Sequence, residues 1–362
     1  AHVDRAGQPE PGGDGGGRDA VLARSRIGDD GGEPHADGEQ ALAERRAASD
    51  VALAERVPTD GPGCQAAVGR LGEVVWAGAA GLADLEQGIP ITTETRFDIA
   101  SVSKQFTATA ILMLQREGEL SVKDRVSEYV EGLPEWGSRV TLDQLIHHTS
   151  RIPDYWVELD RVGIGFTDRT DMRIVLDAIR REKDLEPGNG FLYSNSNYVL
   201  LAEVVRVVSG TDLPEFLAGR IFEPLALDMV VAPTLRAPDV ARAYGDDLTI
   251  EETGWAHWGH SGIITTASEL ARWGDQYRAG DIIQDDFLDG AVEEGAGERY
   301  AAAMDIEADG DLNHTGRMGG YISEFTVSAD RTTTIAVLCN GHLSDRFGIA
   351  EALWRIWGRP AA

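Results

Sequence analysis

The stretch FDIASVSKQF, which runs from Phe97 to Phe106, decides how the rest of the sequence is interpreted. Within it Ser101 and Lys104 are three residues apart at the predicted start of a helix, so their side chains share one face within a turn. Lysine occurs three times among the 33 basic residues of the chain, and the others are arginine. A lysine beside this hydroxyl therefore indicates chemistry that an arginine cannot perform.

The helix that contains Lys104 is predicted to reach Glu117, and its apolar residues predict that it is buried. Burial disfavours the charged form of a lysine and lowers its pKa. A neutral amine accepts a proton from a neighbouring hydroxyl, whereas a guanidinium stays protonated at any working pH. The N–H groups at the helix N-terminus would favour negative charge on the Ser101 oxygen. The alternative is a helix-capping serine and a solvated lysine, because a lone S-x-x-K pattern arises easily by chance.

A second polar cluster lies in the stretch EPGNGFLYSNSNYVLLAEVV, which begins at Glu186. It places Tyr193 and Asn195 in a loop before an amphipathic helix, where a side chain is well placed to face a cleft. A tyrosine whose pKa is lowered by a nearby lysine can shuttle a proton, and Asn195 can bind the lysine amine or a substrate amide. The alternative is a helix-capping loop with Asn197 as the cap.

A third cluster lies in the stretch DLNHTGRMGGYISEF, which places His314, Thr315 and Gly316 at the start of a C-terminal strand. Strand alternation puts Thr315 and Arg317 on one face and His314 on the other. His314 can supply a donor or a proton, and the backbone N–H of Arg317 can join that of Ser101 as an oxyanion hole. The alternative is a histidine at a strand edge with no functional role.

The order of predicted elements indicates an α/β (α+β) fold. Apolar strand pairs occur near both ends of the chain, and helical patterns fill the middle. We predict one antiparallel sheet, flanked by N- and C-terminal helices, built from residues 39–100 and 296–362. Residues 101–295 form a large, mostly helical insertion, with the active site in the cleft between the two parts. Residues 1–38 are rich in Gly, Asp, Glu and Pro and are predicted to form a disordered acidic tail.

Three local predictions accompany this architecture. A short helix is expected around Glu39–Arg56, before the first strand pair, and the last helix is expected to bury Phe347, Leu353 and Trp357. The first strand pair should form a hairpin that turns between Gly69 and Gly72.

The composition excludes several classes of partner. The chain has 362 residues, of which 42% are hydrophobic, and its net charge of -28 makes binding to nucleic-acid phosphates improbable. No apolar run is long enough for a membrane-spanning helix. We expect a soluble protein, either cytoplasmic or secreted with its signal peptide already removed. The acidic, lysine-poor surface fits either a high-salt environment or the codon bias of a GC-rich genome.

Cysteine and histidine usage predicts neither a disulfide nor a metal site. Cys64 and Cys339 lie in apolar strands, and two buried free thiols are favoured over a disulfide. His257 and His260 lie among aromatic residues, and the chain has no H-E-x-x-H or paired C-x-x-C motif. We therefore expect no metal and no cofactor.

Taken together, three motifs resemble those of the penicillin-recognising serine hydrolases. They are Ser101-x-x-Lys104, Tyr193-Ser194-Asn195 and His314-Thr315-Gly316. Their order and wide spacing are similar to the branch with class C β-lactamases, D,D-carboxypeptidases, D-aminopeptidases and related esterases. The resemblance covers residues 39–358 and includes the stretch LIHHTSRIPDY, in which Arg151 stands where relatives usually have glycine. The superfamily pattern is S-x-x-K, S-D-N and K-T-G. Tyrosine in the second motif resembles the class C-like branch, and histidine in the third is commoner among D-peptidases and esterases.

The resemblance implies a serine β-lactamase/D,D-peptidase-like fold and an acyl-enzyme on Ser101. Lys104 and Tyr193 would activate the serine, Asn195 and His314 would complete the polar network, and water would release the acid. The expected partner is a small amide, a short peptide of the D-amino acid type or an ester, with no cofactor. The alternatives are a true class C-like β-lactamase and a catalytically silent binding relative. The sequence leaves the oligomeric state open.

Two further expectations concern arginine residues. Arg317 shares the face of Thr315 and is expected to bind a substrate carboxylate, as bidentate arginines do. Arg151, in place of the usual glycine, is expected to alter the rim of the cleft.

Overall fold

The computed structural model describes residues 34–295 and 297–358. The account below concerns the compact unit Leu42–Ala362, together with the part of the first helix that precedes it in the sequence. The tail predicted for residues 1–38 lies almost entirely outside the described residues. The first described helix begins at Pro34, earlier than predicted, and ends at Ala54.

Helices fill the middle of the chain and strands lie towards its two ends. The helices are Pro34–Ala54 (α1), Lys104–Arg116 (α2), Leu142–Ile146 (α3), Tyr155–Arg161 (α4), Met172–Arg181 (α5), Asn195–Ser209 (α6), Leu213–Leu217 (α7), Ala267–Trp273 (α8), Gln276–Ala279 (α9) and Arg346–Trp357 (α10). The strands are Cys64–Arg70 (β1), Glu73–Ala80 (β2), Leu82–Asp84 (β3), Ile89–Pro90 (β4), Phe97–Asp98 (β5), Thr170–Asp171 (β6), Val230–Val231 (β7), Trp255–Ala256 (β8), Ile263–Thr265 (β9), Val292–Gly295 (β10), Glu298–Tyr300 (β11), Asp305–Ile306 (β12), Leu312–Met318 (β13), Tyr321–Val327 (β14) and Thr333–Cys339 (β15).

The main sheet joins strands from both ends of the sequence. Its order is β10-β11-β12-β13-β14-β15-β1-β2, and all neighbouring strands are antiparallel. β1 and β2 form the predicted hairpin, in which Leu71 and Gly72 both have positive φ, as a two-residue type I′ turn requires. The predicted antiparallel α/β (α+β) fold class is confirmed. The division into a sheet domain and a helical domain stays a prediction.

Strand alternation gives the centre of the sheet two buried faces. Ile335 and Val337 of β15 belong to a core cluster with Leu353 of α10, whereas Ala336 and Leu338 face the larger core. The smaller cluster also includes residues of α1, so both terminal helices cover this face. α8 packs on β1, β2 and β15, and α2 packs against α6 and α7 in the helical part.

Cys64 and Cys339 form a disulfide bond, so the expectation of two free thiols is wrong. The two cysteines are direct partners in the register of β1 and β15, with their Cα atoms 4.1 Å apart. They are separated by 275 residues in the sequence. Their pairing follows from the position of β1 beside β15, which the apolar pattern of each strand does not specify.

The expectation that Phe347 is buried is also wrong. Leu353 and Trp357 are buried on α10, but Phe347 is 56% exposed. Phe347 lies in the first turn of the helix, away from the buried face, and the guanidinium of Arg346 lies 4.1 Å from the centroid of its ring. An apolar residue type alone does not identify the buried face of a helix end.

The described part of the chain includes no helix that combines the length and the apolar character needed to cross a bilayer.

Breaking the disulfide should destabilise the protein. The bond closes a loop of 275 residues, so its reduction should lower the free energy of unfolding by about 2 to 5 kcal/mol. Urea unfolding of the wild type, followed by tryptophan fluorescence with and without reductant, measures this difference. A Cys64→Ala/Cys339→Ala variant is the control and should not respond to reductant. Equal stability of the oxidised and reduced wild type would contradict the prediction.

Candidate active site

Ser101 lies in a single 3-10 turn, Ala100–Ser103, between β5 and α2. Ala100 has a φ of 50°, a left-handed conformation that costs a non-glycine residue about 1 kcal/mol or more. The carboxylate of Asp98 stabilises it by accepting the Ala100 N–H at 2.7 Å and the Gly262 N–H at 3.3 Å. Burial raises the pKa of Asp98 to about 6, and the two N–H donors oppose the rise. Ser101 therefore follows a strained backbone with its own supporting contacts.

Lys104, the first residue of α2, is completely buried. Its Nζ lies 3.0 Å from Ser101 Oγ, 2.8 Å from Asn195 Oδ1 and 3.0 Å from the carbonyl oxygen of His260. Burial lowers the pKa of Lys104 to about 7, although the negative charge of Asp154 acts in the opposite direction. A neutral amine has two N–H groups and one lone pair. The two carbonyl oxygens can accept both N–H groups, which leaves the lone pair for the Ser101 hydroxyl.

Asn195, the first residue of α6, connects Lys104 to a buried carboxylate. Its Nδ2 donates to Asp154 Oδ2 at 2.9 Å, and its backbone N–H donates to the same oxygen at 2.8 Å. Burial raises the pKa of Asp154, and the N–H donors of Asn195 oppose the rise. Our sequence interpretation missed Asp154 as a site residue, although it lies in the stretch LIHHTSRIPDY.

Tyr193 lies beside both Ser101 and Lys104. Its phenol and Ser101 line the same cavity and interact, and Lys104 Nζ lies 4.8 Å from the centroid of its ring. Burial raises the pKa of Tyr193, while 37% of the residue's surface stays exposed. The expectation that the nearby lysine lowers this pKa is wrong, because the effect of burial on the phenol is the largest one. Tyr193 is therefore a protonated donor at neutral pH.

His148 supports the loop that carries Tyr193. Its Nδ1 accepts the Ser194 N–H at 3.2 Å and a hydrogen from Asn197 Nδ2 at 2.9 Å. The ring centroids of His148 and Tyr193 are 4.3 Å apart. Burial, together with the charge of Lys104, lowers the pKa of His148 well below its usual value, so the ring is neutral. His148 positions the second motif from a different part of the chain.

Gly316 brings β13 against the backbone that carries Ser101. A Cβ atom on Gly316 would lie 2.6 Å from the carbonyl oxygen of Ile99 and 2.3 Å from Ser323 Oγ. Ser323 Oγ donates to that same carbonyl at 2.8 Å. A side chain at position 316 would therefore push the strand away from Ser101, which explains the glycine in the third motif.

His314 is buried on the opposite face from Thr315 and Arg317, as strand alternation predicts. Its Nδ1 lies 2.7 Å from the carbonyl oxygen of Thr315, and its Nε2 lies 3.2 Å from the hydroxyl of Tyr300. Burial lowers the pKa of His314 to about 3, so the imidazole is neutral. Its role in binding substrate stays a prediction.

Arg317 is exposed, and its guanidinium is held by one neighbour. Nη2 of Arg317 donates to Nδ1 of His342 at 3.0 Å, and Nε2 of His342 contacts the carbonyl oxygen of Gly319. Nδ1 of His342 also lies 3.5 Å from carboxylate oxygens of Asp246 and Glu251.

A cavity of about 390 Å³ lies over Ser101. Seven of the eight predicted site residues line it, namely Ser101, Tyr193, Asn195, His314, Thr315, Gly316 and Arg317. The eighth, Lys104, is buried in contact with Ser101. The structure therefore brings together all the residues that the three motifs predict.

Our sequence interpretation missed four other lining residues, namely Glu294, Tyr300, Asp305 and Arg346. Burial and the neighbouring carboxyl of Glu294 raise the pKa of Asp305 to about 9, which makes this wall of the cavity acidic but only partly charged. These residues come from β10, β11, β12 and α10, and no local pattern links them to the motifs.

Arg151 adopts a φ of 64°, which explains why glycine suits this position in relatives. Its backbone oxygen accepts the Glu186 N–H at 2.7 Å, and its guanidinium donates to the carbonyl of Pro187. Arg151 thus connects to the loop that leads to Tyr193.

A buried polar network lies behind Lys104. The hydroxyl of Tyr155 is 2.9 Å from Nε2 of both His257 and His260, and Thr170 contacts Nδ1 of His257 at 3.0 Å. Burial lowers the pKa of His257 to about 3. Residues 34–295 and 297–358 contain no group of three or more His, Cys, Asp or Glu side chains that could hold a metal ion.

Comparison with known proteins identifies the family of this fold and site. The family described as Beta-lactamase matches residues 51–355, and the chain belongs to this family. Penicillin-binding protein 4* of Bacillus subtilis is 27% identical over 311 residues, which cover 74% of this chain and 66% of that protein. A D-aminopeptidase of Brucella anthropi is 29% identical over 301 residues, which cover 76% of this chain and 56% of that protein. The chain thus spans less than two thirds of the length of either relative.

The same fold occurs in solved structures. A D-stereospecific amidohydrolase from Streptomyces superposes with a TM-score of 0.72 and 23% sequence identity, over 85% of this chain and 98% of that one. The serine β-lactamase/D,D-peptidase-like fold implied by the three motifs is therefore confirmed.

Adding one methyl group at Gly316 should disrupt the site. Gly316→Ala places a Cβ within 2.6 Å of the Ile99 carbonyl, so we expect a loss of stability of about 1 to 3 kcal/mol. Thermal unfolding measures the loss. Gly165→Ala is the control, because the nearest atom to its added Cβ is the Asp168 carboxylate at 3.5 Å. Equal stability of the two variants would show that β13 does not press against the backbone of Ser101.

Proposed function

We propose that this protein is a serine hydrolase that forms an acyl-enzyme on Ser101. The observation that carries the proposal is the environment of Lys104, a buried amine whose Nζ lies 3.0 Å from Ser101 Oγ. Two carbonyl oxygens are in reach of its N–H groups, so the neutral amine has its lone pair free for the serine proton. A role in helix capping alone would not require a buried lysine.

Acylation would begin with attack of Ser101 Oγ on the carbonyl carbon of the substrate. The hydroxyl proton passes to Lys104, and the carbonyl oxygen takes up the negative charge next to the backbone N–H groups of Ser101 and Arg317. Collapse of this intermediate breaks the bond to the leaving amine or alcohol, which takes the proton of Tyr193. Lys104 then returns its proton to the Tyr193 oxygen. The product is acyl-Ser101 with both bases restored.

Deacylation would use a water molecule in place of the leaving group. Water attacks the acyl carbonyl and gives a proton to the Lys104 and Tyr193 pair, and the intermediate then releases the acid. Ser101 Oγ recovers its proton from the same pair. No cofactor is required at any step.

The substrate class follows from the third motif and from the relatives. We infer small amides, short peptides of the D-amino acid type or esters, because histidine at position 314 resembles D-peptidases and esterases. The relatives named D-aminopeptidase and penicillin-binding protein 4* support this class. A true β-lactamase is the second candidate, because the whole family bears that name.

Covalent labelling tests the proposal directly. With p-nitrophenyl esters or D-amino acid amides, wild-type protein should gain the mass of one acyl group, and Ser101→Ala should gain none. The rate of the p-nitrophenol burst should rise with pH through about 7, because Lys104 becomes a base only after it loses its proton. Lys104→Arg should slow the burst by roughly 100-fold or more. Lys123→Arg, at an exposed position, is the matched control and should leave it unchanged.

Two other outcomes separate the alternatives. Rapid turnover of a chromogenic cephalosporin that depends on Ser101 would favour the β-lactamase. Absence of any Ser101-dependent reaction with esters, D-amino acid amides, D-Ala-D-Ala peptides or β-lactams would favour a catalytically silent relative.

We further propose that Arg317 binds a substrate carboxylate. Its guanidinium lies at the cavity and is held by His342, so it is available for a bidentate contact. Arg317→Ala should reduce kcat/KM for carboxylate-ended peptides by roughly tenfold more than for the same peptides with amide ends. Arg173→Ala, on the exposed side of α5, should change neither. Equal losses on both peptide series would rule out this role for Arg317.

A further inference from the structure

The carboxylate of Asp154 has no part in the chemistry proposed above, yet it lies one amide group away from the amine of Lys104. Asp154 Oδ2 accepts both the backbone N–H and the Nδ2–H of Asn195. The other end of the same amide, Oδ1, lies 2.8 Å from Lys104 Nζ. Asp154, Asn195, Lys104 and Ser101 therefore form a continuous chain of hydrogen bonds through the buried side of the site.

This series of hydrogen bonds has only one allowed direction. An ionised carboxylate only accepts hydrogen bonds, so Asp154 must face the Nδ2 of Asn195 and the Oδ1 must face Lys104. A reversed amide would direct an N–H at the amine and an oxygen at the carboxylate, two unfavourable contacts in a buried site. In the allowed orientation, Asn195 Oδ1 accepts one N–H of Lys104. The lone pair of the amine is therefore directed away from Asn195 and towards Ser101.

We propose that Asp154 is a positioning residue, which fixes the amide of Asn195 and through it the lone pair of Lys104. The inference rests on the proposed function, because the lone pair matters only if Lys104 takes the serine proton. Asp154 does not touch the reacting atoms.

The negative charge of Asp154 also influences the pKa of Lys104. The other titratable groups that face the amine are His148, Tyr193, Tyr198, His260 and His314. The pKa values of these imidazoles are lowered by burial and those of the phenols are raised by it, so all five are uncharged near pH 7. The negative charge of Asp154 therefore opposes the effect of burial on the pKa of Lys104. Removing that charge should lower this pKa further.

A purely structural role for Asp154 makes a different prediction. Asp154 is the N-cap of α4, where its Oδ1 accepts the Trp156 N–H at 3.4 Å. If capping were its whole role, replacing it would reduce stability without changing Lys104. Asp171 provides the matched control, because it caps α5 by accepting the Ile174 N–H at 2.8 Å.

The small number of lysines makes a direct measurement possible. With lysine labelled at ¹³Cε, the spectrum should contain three side-chain signals, from Lys104, Lys123 and Lys183. Lys123→Arg and Lys183→Arg variants assign them. The titration of the Lys104 signal gives its pKa without any substrate, and the pH profile of the ester burst gives the same quantity from activity.

Asp154→Asn keeps an oxygen that can accept from Asn195 but removes the charge. We expect the pKa of Lys104 to fall by roughly half a unit to one unit, and the acid limb of the burst profile to move to lower pH by the same amount. Asp154→Ala removes the charge and also releases the amide, so the maximal burst rate, reached at high pH, should fall about tenfold while KM stays nearly constant. Asp171→Asn should change neither the pKa nor the profile.

The outcomes distinguish the two proposals. A folded Asp154→Asn protein in which both the Lys104 pKa and the acid limb are unchanged would overturn the positioning role. A shifted Lys104 signal in a protein whose wild type shows no Ser101-dependent burst would uphold the coupling of Asp154 to Lys104 and reject the proposed function. If Asp154→Ala does not fold, the titration of Asp154→Asn decides the inference.

Discussion

The burial of one amine is the constraint on which the candidate site depends. An exposed lysine has a pKa near 10.4 and stays charged at neutral pH, whereas the pKa of Lys104 is lowered to about 7. That shift requires a helix with no solvated side at its start, which α2 provides through contacts with α6 and α7. It also requires neighbours that stay uncharged, and the surrounding imidazoles and phenols meet this condition because they too are buried. The same exclusion of water that lowers the pKa of Lys104 therefore keeps its neighbours uncharged.

Close backbone contacts, more than long side chains, hold the segments of the site together. Gly316 sets the distance between β13 and the turn of Ser101, and a Cβ on Gly259 would lie 2.2 Å from the carbonyl of Tyr198. Thr107 on α2 donates to the carbonyl of Gly259 at 2.7 Å, and Asp98 links the Ser101 turn to Gly262. These contacts leave little space for relaxation. Adding a single methyl group at such a position should therefore displace the backbone that carries Ser101.

Short-range patterns in the sequence predict that Ser101 and Lys104 meet, because the two residues and their helix are neighbours in the chain. The same reasoning extends to Tyr193, Asn195 and His314 through family resemblance, and to the antiparallel sheet through alternation in the end strands. It fails where the outcome depends on which distant elements meet. Three features depend on such meetings of distant elements. They are the pairing of Cys64 with Cys339, the contact of Asn195 with Asp154, and the acidic wall of the cavity. The raised pKa of Tyr193 was missed because it depends on burial of the phenol, which the local sequence does not show.

The strand order has a consequence for folding of the chain during translation. β1 emerges before its partner β15, because Cys339 at the end of β15 follows Cys64 by 275 residues. Until then β1 has one open edge, which is a site for mispairing and for chaperone binding. A nascent chain that has reached α8 already contains Ser101, Lys104 and Tyr193 but lacks the strand of Gly316. The cavity over Ser101 can therefore form only after β13 has been translated, long after Ser101 itself.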